Sequence, residues 1–161
     1  MLRYFGNDIR RINHALKVFG FASTISRSEM LSSETVKMIE MAAILHDIGI
    51  PVAEKKYNSC AGKYQELEGP PIAYDMLTSL NIPHEWVKRV CFLIGHHHTY
   101  SKIDGPDFQI LVEADFLVNI HEDGMNSEMI ESIRTKYFKT RTGIDIFETL
   151  YINKTDSTNI H

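Results

Sequence analysis

The sequence predicts an all-α, single-domain fold. Three observations predict it. Apolar residues recur at spacings of three and four, the period of helices packed on one face. Sustained alternation is absent, and no Asn-Gly or Asp-Gly turn joins alternating runs, so strand signals are missing. Capping residues, glycines and prolines fall between the periodic segments, where helices start and stop. No internal repeat, low-complexity stretch or interdomain linker interrupts the 161 residues. That length suits one domain with a substantial core. Residues 1–152 are expected to form the domain and 153–161 a polar, fraying tail.

The elements follow in order. A first helix is expected over residues 7–22, capped by Asn7 or Asp8, with Ile9, Ile12, Leu16 and Phe19 as its apolar stripe. His14 lies off the centre of that stripe. Residues 21–31 carry Ser23, Thr24, Ser26 and Ser28 and read as a connection. A central helix spans 33–47, with Ser32 or Ser33 as cap and Glu34 in its first turn. Gly49 and Pro51 mark its stop. Residues 51–63 read as a long polar loop carrying Lys55, Lys56 and Lys63. Residues 64–80 are helical, with Gly69-Pro70-Pro71 breaking or restarting the helix. Pro83 starts the next helix, which runs from His84 to about His97 along Trp86, Val87, Val90, Leu93 and Ile94. Asp107 can cap a helix over 108–120 in which Leu111, Asp115 and Val118 share a face. Two short helices, 127–138 and 144–152, close the chain.

Composition narrows the function classes. A formal net charge of -4 gives no global signature of nucleic-acid binding. No apolar run is long enough to cross a bilayer, and the N-terminus lacks the apolar core of a signal peptide. Cys60 and Cys91 have no CxxC spacing and read as reduced thiols, so a cytoplasmic protein is expected.

The chemistry concentrates in Ala43-Ile44-Leu45-His46-Asp47-Ile48-Gly49. An apolar helix runs into a histidine and an aspartate and stops. His46 continues the face of Val36, Ile39 and Ala43. An Asp is rarely buried unless paired, because burying a lone carboxylate costs several kcal/mol or more. His46 and Asp47 therefore either face water at the helix end or share a partner such as a metal ion. Two further polar residues stand on apolar helices, His14 and Asp115. Together the four offer two imidazoles and two carboxylates, a set suited to Fe, Mn, Ni, Co or Zn.

These residues resemble the H…HD…D signature of the HD-domain superfamily of metal-dependent phosphohydrolases. Ile12-Asn13-His14-Ala15-Leu16-Lys17-Val18 is similar to the family's first-histidine helix. Residues 43–49 closely resemble its HDIG segment, and Leu111-Val112-Glu113-Ala114-Asp115 its closing ADxL helix. The resemblance spans roughly residues 8–119. It implies a bundle of about five core helices, here followed by short C-terminal ones, with His14, His46, Asp47 and Asp115 as metal ligands. Family members with two metals carry extra histidines. Here Gln65 stands where the first of these falls, which argues for one ion, while His96, His97 and His98 supply the later pair. Three consecutive histidines fan over about 200° of a helix, so not all can face one site. The glycine-tyrosine-proline signature of cyclic-di-GMP-hydrolysing members is missing.

The implied activity is hydrolysis of a phosphate ester or anhydride in a nucleotide or small phosphorylated metabolite. Asp47 and one or two of His96, His97 and His98 would be catalytic. Lys55, Lys56 and Lys63 can contact phosphate, or can simply be a solvated basic loop. Two rivals remain: a di-iron oxygenase on the same scaffold, and a non-catalytic, metal-stabilised nucleotide-binding or regulatory module. A homodimer is compatible with the sequence but not specified by it.

Overall fold

The computed structural model describes residues 1–153. The fold is all-helical, and no strand occurs among the described residues. A single turn, α1 (Leu2–Phe5), precedes α2 (Ile9–Ser28) and α3 (Ser33–Leu45). Then come α4 (Ile50–Tyr57), α5 (Gly62–Ser79) and α6 (His84–Ile94). A 3-10 turn, Tyr100–Lys102, leads to α7 (Pro106–Glu122), α8 (Ser127–Tyr137) and α9 (Arg141–Phe147). A π-turn, Glu148–Ile152, follows, and the expected tail from 154 onward lies outside the described residues.

Helix α2 packs on α3 and α7, α3 also meets α6, and α5 lies along α6 and α4. Val18, Ile25, Ile39, Ala43, Leu93, Ile94, Phe108 and Leu111 are fully buried between them. Side-chain caps fix four of the helix starts: Asp8 accepts from the Arg11 N–H, Ser32 from the Thr35 N–H, Asn126 from the Met129 N–H and Thr140 from the Gly143 N–H. Arg89 on α6 binds Asp104 and Asp107 through four contacts of 2.6–2.8 Å, fastening the start of α7.

Four sequence expectations change. The α2 helix runs six residues past its expected end at residue 22, because Ala22, Ile25 and Ser26 are buried on the helix face. Its polar residues bond to its own backbone, as Thr24 does to the Gly20 carbonyl. The inward face of α2 is also not the expected stripe. Ile9 and Leu16 are 69% and 47% exposed, while His14, Ala15, Val18 and Ala22 are buried. Alanines let α3 and α7 approach closely, so the buried face is the one with small residues. The expected loop 51–63 is in large part the helix α4. Pro51 stands in its first turn, where a missing N–H costs nothing, and Asn58 in the left-handed conformation ends it.

Finally, Gly69-Pro70-Pro71 neither breaks nor restarts α5, which is continuous through both prolines. Close packing explains the glycine. A Cβ on Gly69 would lie 2.7 Å from the Ile94 side chain, and one on Gly49 would lie 2.6 Å from the Gln65 carbonyl oxygen. The two glycines let α5 press its backbone against the turn that carries His46 and Asp47.

Candidate metal centre

Three helices deliver the four expected residues to one point. His14 comes from the body of α2, His46 and Asp47 from the turn that ends α3, and Asp115 from the middle of α7. The His14 and His46 Nε2 atoms are 3.1 Å apart. Asp115 Oδ1 lies 3.2 Å from His14 Nε2 and 3.5 Å from His46 Nε2, and Asp47 Oδ2 lies 3.6 and 3.4 Å from the same atoms. His46 is 1% exposed and Asp115 8%.

Hydrogen bonds fix the tautomers. His46 Nδ1 is 2.8 Å from the Ala43 carbonyl, which can only accept, so Nδ1 carries the proton. His14 Nδ1 donates to Glu122 Oε2 at 3.0 Å. In the neutral rings both Nε2 lone pairs then face each other and two carboxylate oxygens. Such a cluster holds together only around positive charge, either protons or a metal ion. Without metal the charge is protonic. Burial opposes it on His46, but Asp47 and Asp115 outweigh burial and raise the imidazole to about 9. His14 is raised by the same carboxylates against its own burial. Burial would lift Asp47, yet His46 and His97 hold it at about 2. Asp115, buried too, is held well below the usual carboxylate range by His14 and His46.

The donor set fits a divalent metal. Imidazole nitrogens with the other N–H hydrogen-bonded, and carboxylates from separate helices, are ordinary ligands of transition metals. Two buried atoms lack a hydrogen-bond partner among the described residues, and both belong here: Asp115 Oδ1 and His97 Nε2.

The three consecutive histidines diverge. His97 is buried, donates Nδ1–H to the Ile94 carbonyl at 2.7 Å, and turns Nε2 toward Asp47 Oδ1 at 3.8 Å. His98 packs against His97 with the rings tilted by 42° and their centroids 4.0 Å apart, and meets Gln65 Oε1 through Nε2 at 3.3 Å. Burial and His97 push it down to about 4. Asp47, His97 and His98 form a second group whose ligand atoms lie within 4.8 Å of one another. His96 turns away: its Nδ1 bonds the Phe92 carbonyl and its ring packs on Phe92. Gln65 is buried and donates to the Cys60 carbonyl at 2.6 Å, so both ends of its amide are engaged.

A cavity of about 300 Å³ opens over the cluster, lined by His14, Asp47, Gln65, Asn119, Glu122 and Arg10 among others. A larger groove of about 620 Å³ between α2 and α9 contains none of the clustered side chains. The three lysines do not line the site cavity. Lys56 pairs with Glu68 at 2.7 Å, Lys63 lies over the Tyr64 ring, and Lys55 is exposed on α4. The cations at the cavity are Arg10 and Arg11 instead, and Arg11 is engaged by Asp8 and Glu54. Sequence reasoning missed Arg10 and Glu122. Glu122 had a signal: it follows Asp115 by seven residues, two helical turns on the same face.

Comparison with known proteins agrees with this geometry. A family model for the HD domain matches residues 11–138. A solved structure, a predicted HD superfamily hydrolase from an uncultured Thermotogales bacterium, has the same fold with a TM-score of 0.67. It is 24% identical, and the match covers 92% of this chain and 79% of that one. No curated protein matches the chain. With a family model spanning most of its length, and its H, HD and D positions meeting at one point, the chain belongs to the HD domain family.

Proposed function

We propose that this protein is a metal-dependent phosphohydrolase that cleaves a phosphate ester or anhydride of a nucleotide or small phosphorylated metabolite. The observation that carries the reading is the convergence of His14, His46, Asp47 and Asp115 beneath an open cavity, with His97 Nε2 buried and unpartnered beside them. The related Thermotogales protein, named a hydrolase, supports the same class.

His14, His46, Asp47 and Asp115 would hold one Fe, Mn, Ni, Co or Zn ion. When bound, such an ion lowers the pKa of water and neutralises charge on a phosphoryl oxygen. The protein's own residues do the rest. Asp47 uses Oδ2 toward the two imidazoles and leaves Oδ1 free to accept a proton from the attacking water. His97, its Nδ1–H anchored on Ile94, presents Nε2 on the same side, where in its protonated form it donates to the phosphoryl group or the leaving oxygen. Gln65 fixes His98 behind it, which favours one ion over two because one donor of the second group is already engaged. Arg10, on the cavity rim, has the charge to hold a phosphate and takes the role expected of the lysines.

The test is phosphate release from a panel of nucleotides and phosphorylated metabolites by protein reconstituted separately with each of the five metals. Turnover in wild type, with a KM raised several-fold in Arg10→Ala and unmoved in Lys55→Ala, is the expected result. Metal-loaded protein that releases no phosphate from any member would refute the reading and leave the non-catalytic nucleotide-binding module in its place.

A further inference from the structure

We infer that Glu122 is a positioning residue for the metal centre, held in place by Lys17; the inference rests on the metal reading above but not on the reaction. Three histidines face the cluster, and each donates its Nδ1–H. His46 and His97 stand just beyond the ends of α3 and α6, where backbone carbonyls are free, and bond Ala43 and Ile94. His14 is held differently. It lies inside α2, where the carbonyls already accept the helix's own bonds, and its Nδ1–H meets a carboxylate on another element instead.

The placement of Glu122 favours a role over accident. It is the last residue of α7, the end of a helix where negative charge is disfavoured. Its two oxygens are both committed, Oε2 to His14 at 3.0 Å and Oε1 to Lys17 Nζ at 2.9 Å. Lys17 follows His14 by three residues, so it sits on the same side of α2 and reaches the far oxygen of the same carboxylate. Asp115 and Glu122, two turns apart on α7, thus hold the two nitrogens of one imidazole, Asp115 toward Nε2 and Glu122 on Nδ1.

The consequence is chemical. A carboxylate on Nδ1–H locks the ring's orientation and tautomer and makes Nε2 a stronger donor to a metal than a neutral carbonyl would. Lys17 keeps that carboxylate from swinging into the cavity that Glu122 also lines. Loss of such a partner costs roughly ten- to a hundredfold in metal affinity.

The test uses full-length, metal-free protein titrated with Co²⁺ against a competing chelator, with the visible Co²⁺ spectrum recorded. Glu122→Gln retains a hydrogen-bond acceptor of the same shape and removes the charge. Its expected Co²⁺ Kd is about ten- to a hundredfold weaker than wild type, with a shifted spectrum and a metal-free melting temperature close to wild type. Lys17→Ala is expected to weaken Co²⁺ binding less. Weakened binding in Glu122→Gln supports the inference even if no phosphate substrate is turned over. A Glu122→Gln Kd within twofold of wild type overturns it, whether or not the variant melts earlier. Wild type that binds no Co²⁺ overturns both this inference and the metal centre.

Discussion

Gly49→Ala tests how the HD turn is held. The added methyl would lie 2.6 Å from the Gln65 carbonyl oxygen and 2.7 Å from the Gly69 nitrogen. Both are backbone atoms of a continuous helix, so neither can rotate aside as a side chain would. Helix α5 must move away from the turn by several tenths of an ångström, and Gln65 and Gly69 are buried, so the gap cannot simply fill with water. Overpacking of this kind costs about 1–3 kcal/mol. For a domain of this size each kcal/mol lowers the melting temperature by roughly 2–4 °C, so a fall of about 2–12 °C is expected. The backbone dihedral at Gly49 is helical, and the loss would therefore come from contact alone. Gly20→Ala is the matched control. It also lies in helical backbone, but nothing stands within 4 Å of its added methyl, and it should gain about 0.5–1 kcal/mol. Thermal unfolding followed by circular dichroism reads both. A Gly49→Ala protein as stable as Gly20→Ala would refute the tight approach of α5 to the turn.

Further expectations follow from the same contacts. Because His46 is raised to about 9, the metal-free protein should lose roughly 3 kcal/mol of stability between pH 6.5 and 9, as the folded state gives up a proton that the unfolded chain has already lost. Chemical denaturation across that range checks it, and a rising stability would contradict it. Metal must displace the same proton, so apparent affinity should climb about fiftyfold from pH 7 to 9 and proton release should appear in calorimetry. Glu113, buried on α7, accepts from Gln109, from the Lys139 and Thr140 N–H groups and from the Thr140 hydroxyl. Glu113→Ala strands several of these donors and should cost about 2–4 kcal/mol in denaturant titration.

The sequence was most informative where local chemistry and long-range packing agree. His14, His46, Asp47 and Asp115 could be paired because each interrupts an apolar helix and the four fall in a known order; periodicity alone left His14 off the apparent stripe. Where a residue has two uses, the sequence was ambiguous. Pro51 suits the first turn of a helix as well as the end of one, and the lysines around it drew attention to a loop that is in large part helix. Small residues misled for a related reason. Ala15 and Ala22 carry little hydrophobic signal, yet they line the face that packs most closely. Arg10 and Glu122 were missed because they come together only across helices distant in sequence. Arg10 meets the α7 residues Asn119 and Glu122 only around the folded cavity.

The most direct measurement is elemental analysis of purified wild type beside Asp47→Ala, after both have been offered Fe, Mn, Ni, Co and Zn. Asp47 reaches both imidazoles through Oδ2, at 3.6 and 3.4 Å, so its loss opens the cluster without touching the core. The expected result is about one equivalent of a transition metal in wild type and little in the variant. Equal metal in both would contradict the place of Asp47 among the ligands, and none in wild type would contradict the metal centre itself: the four residues would then be a buried polar network held together by protons.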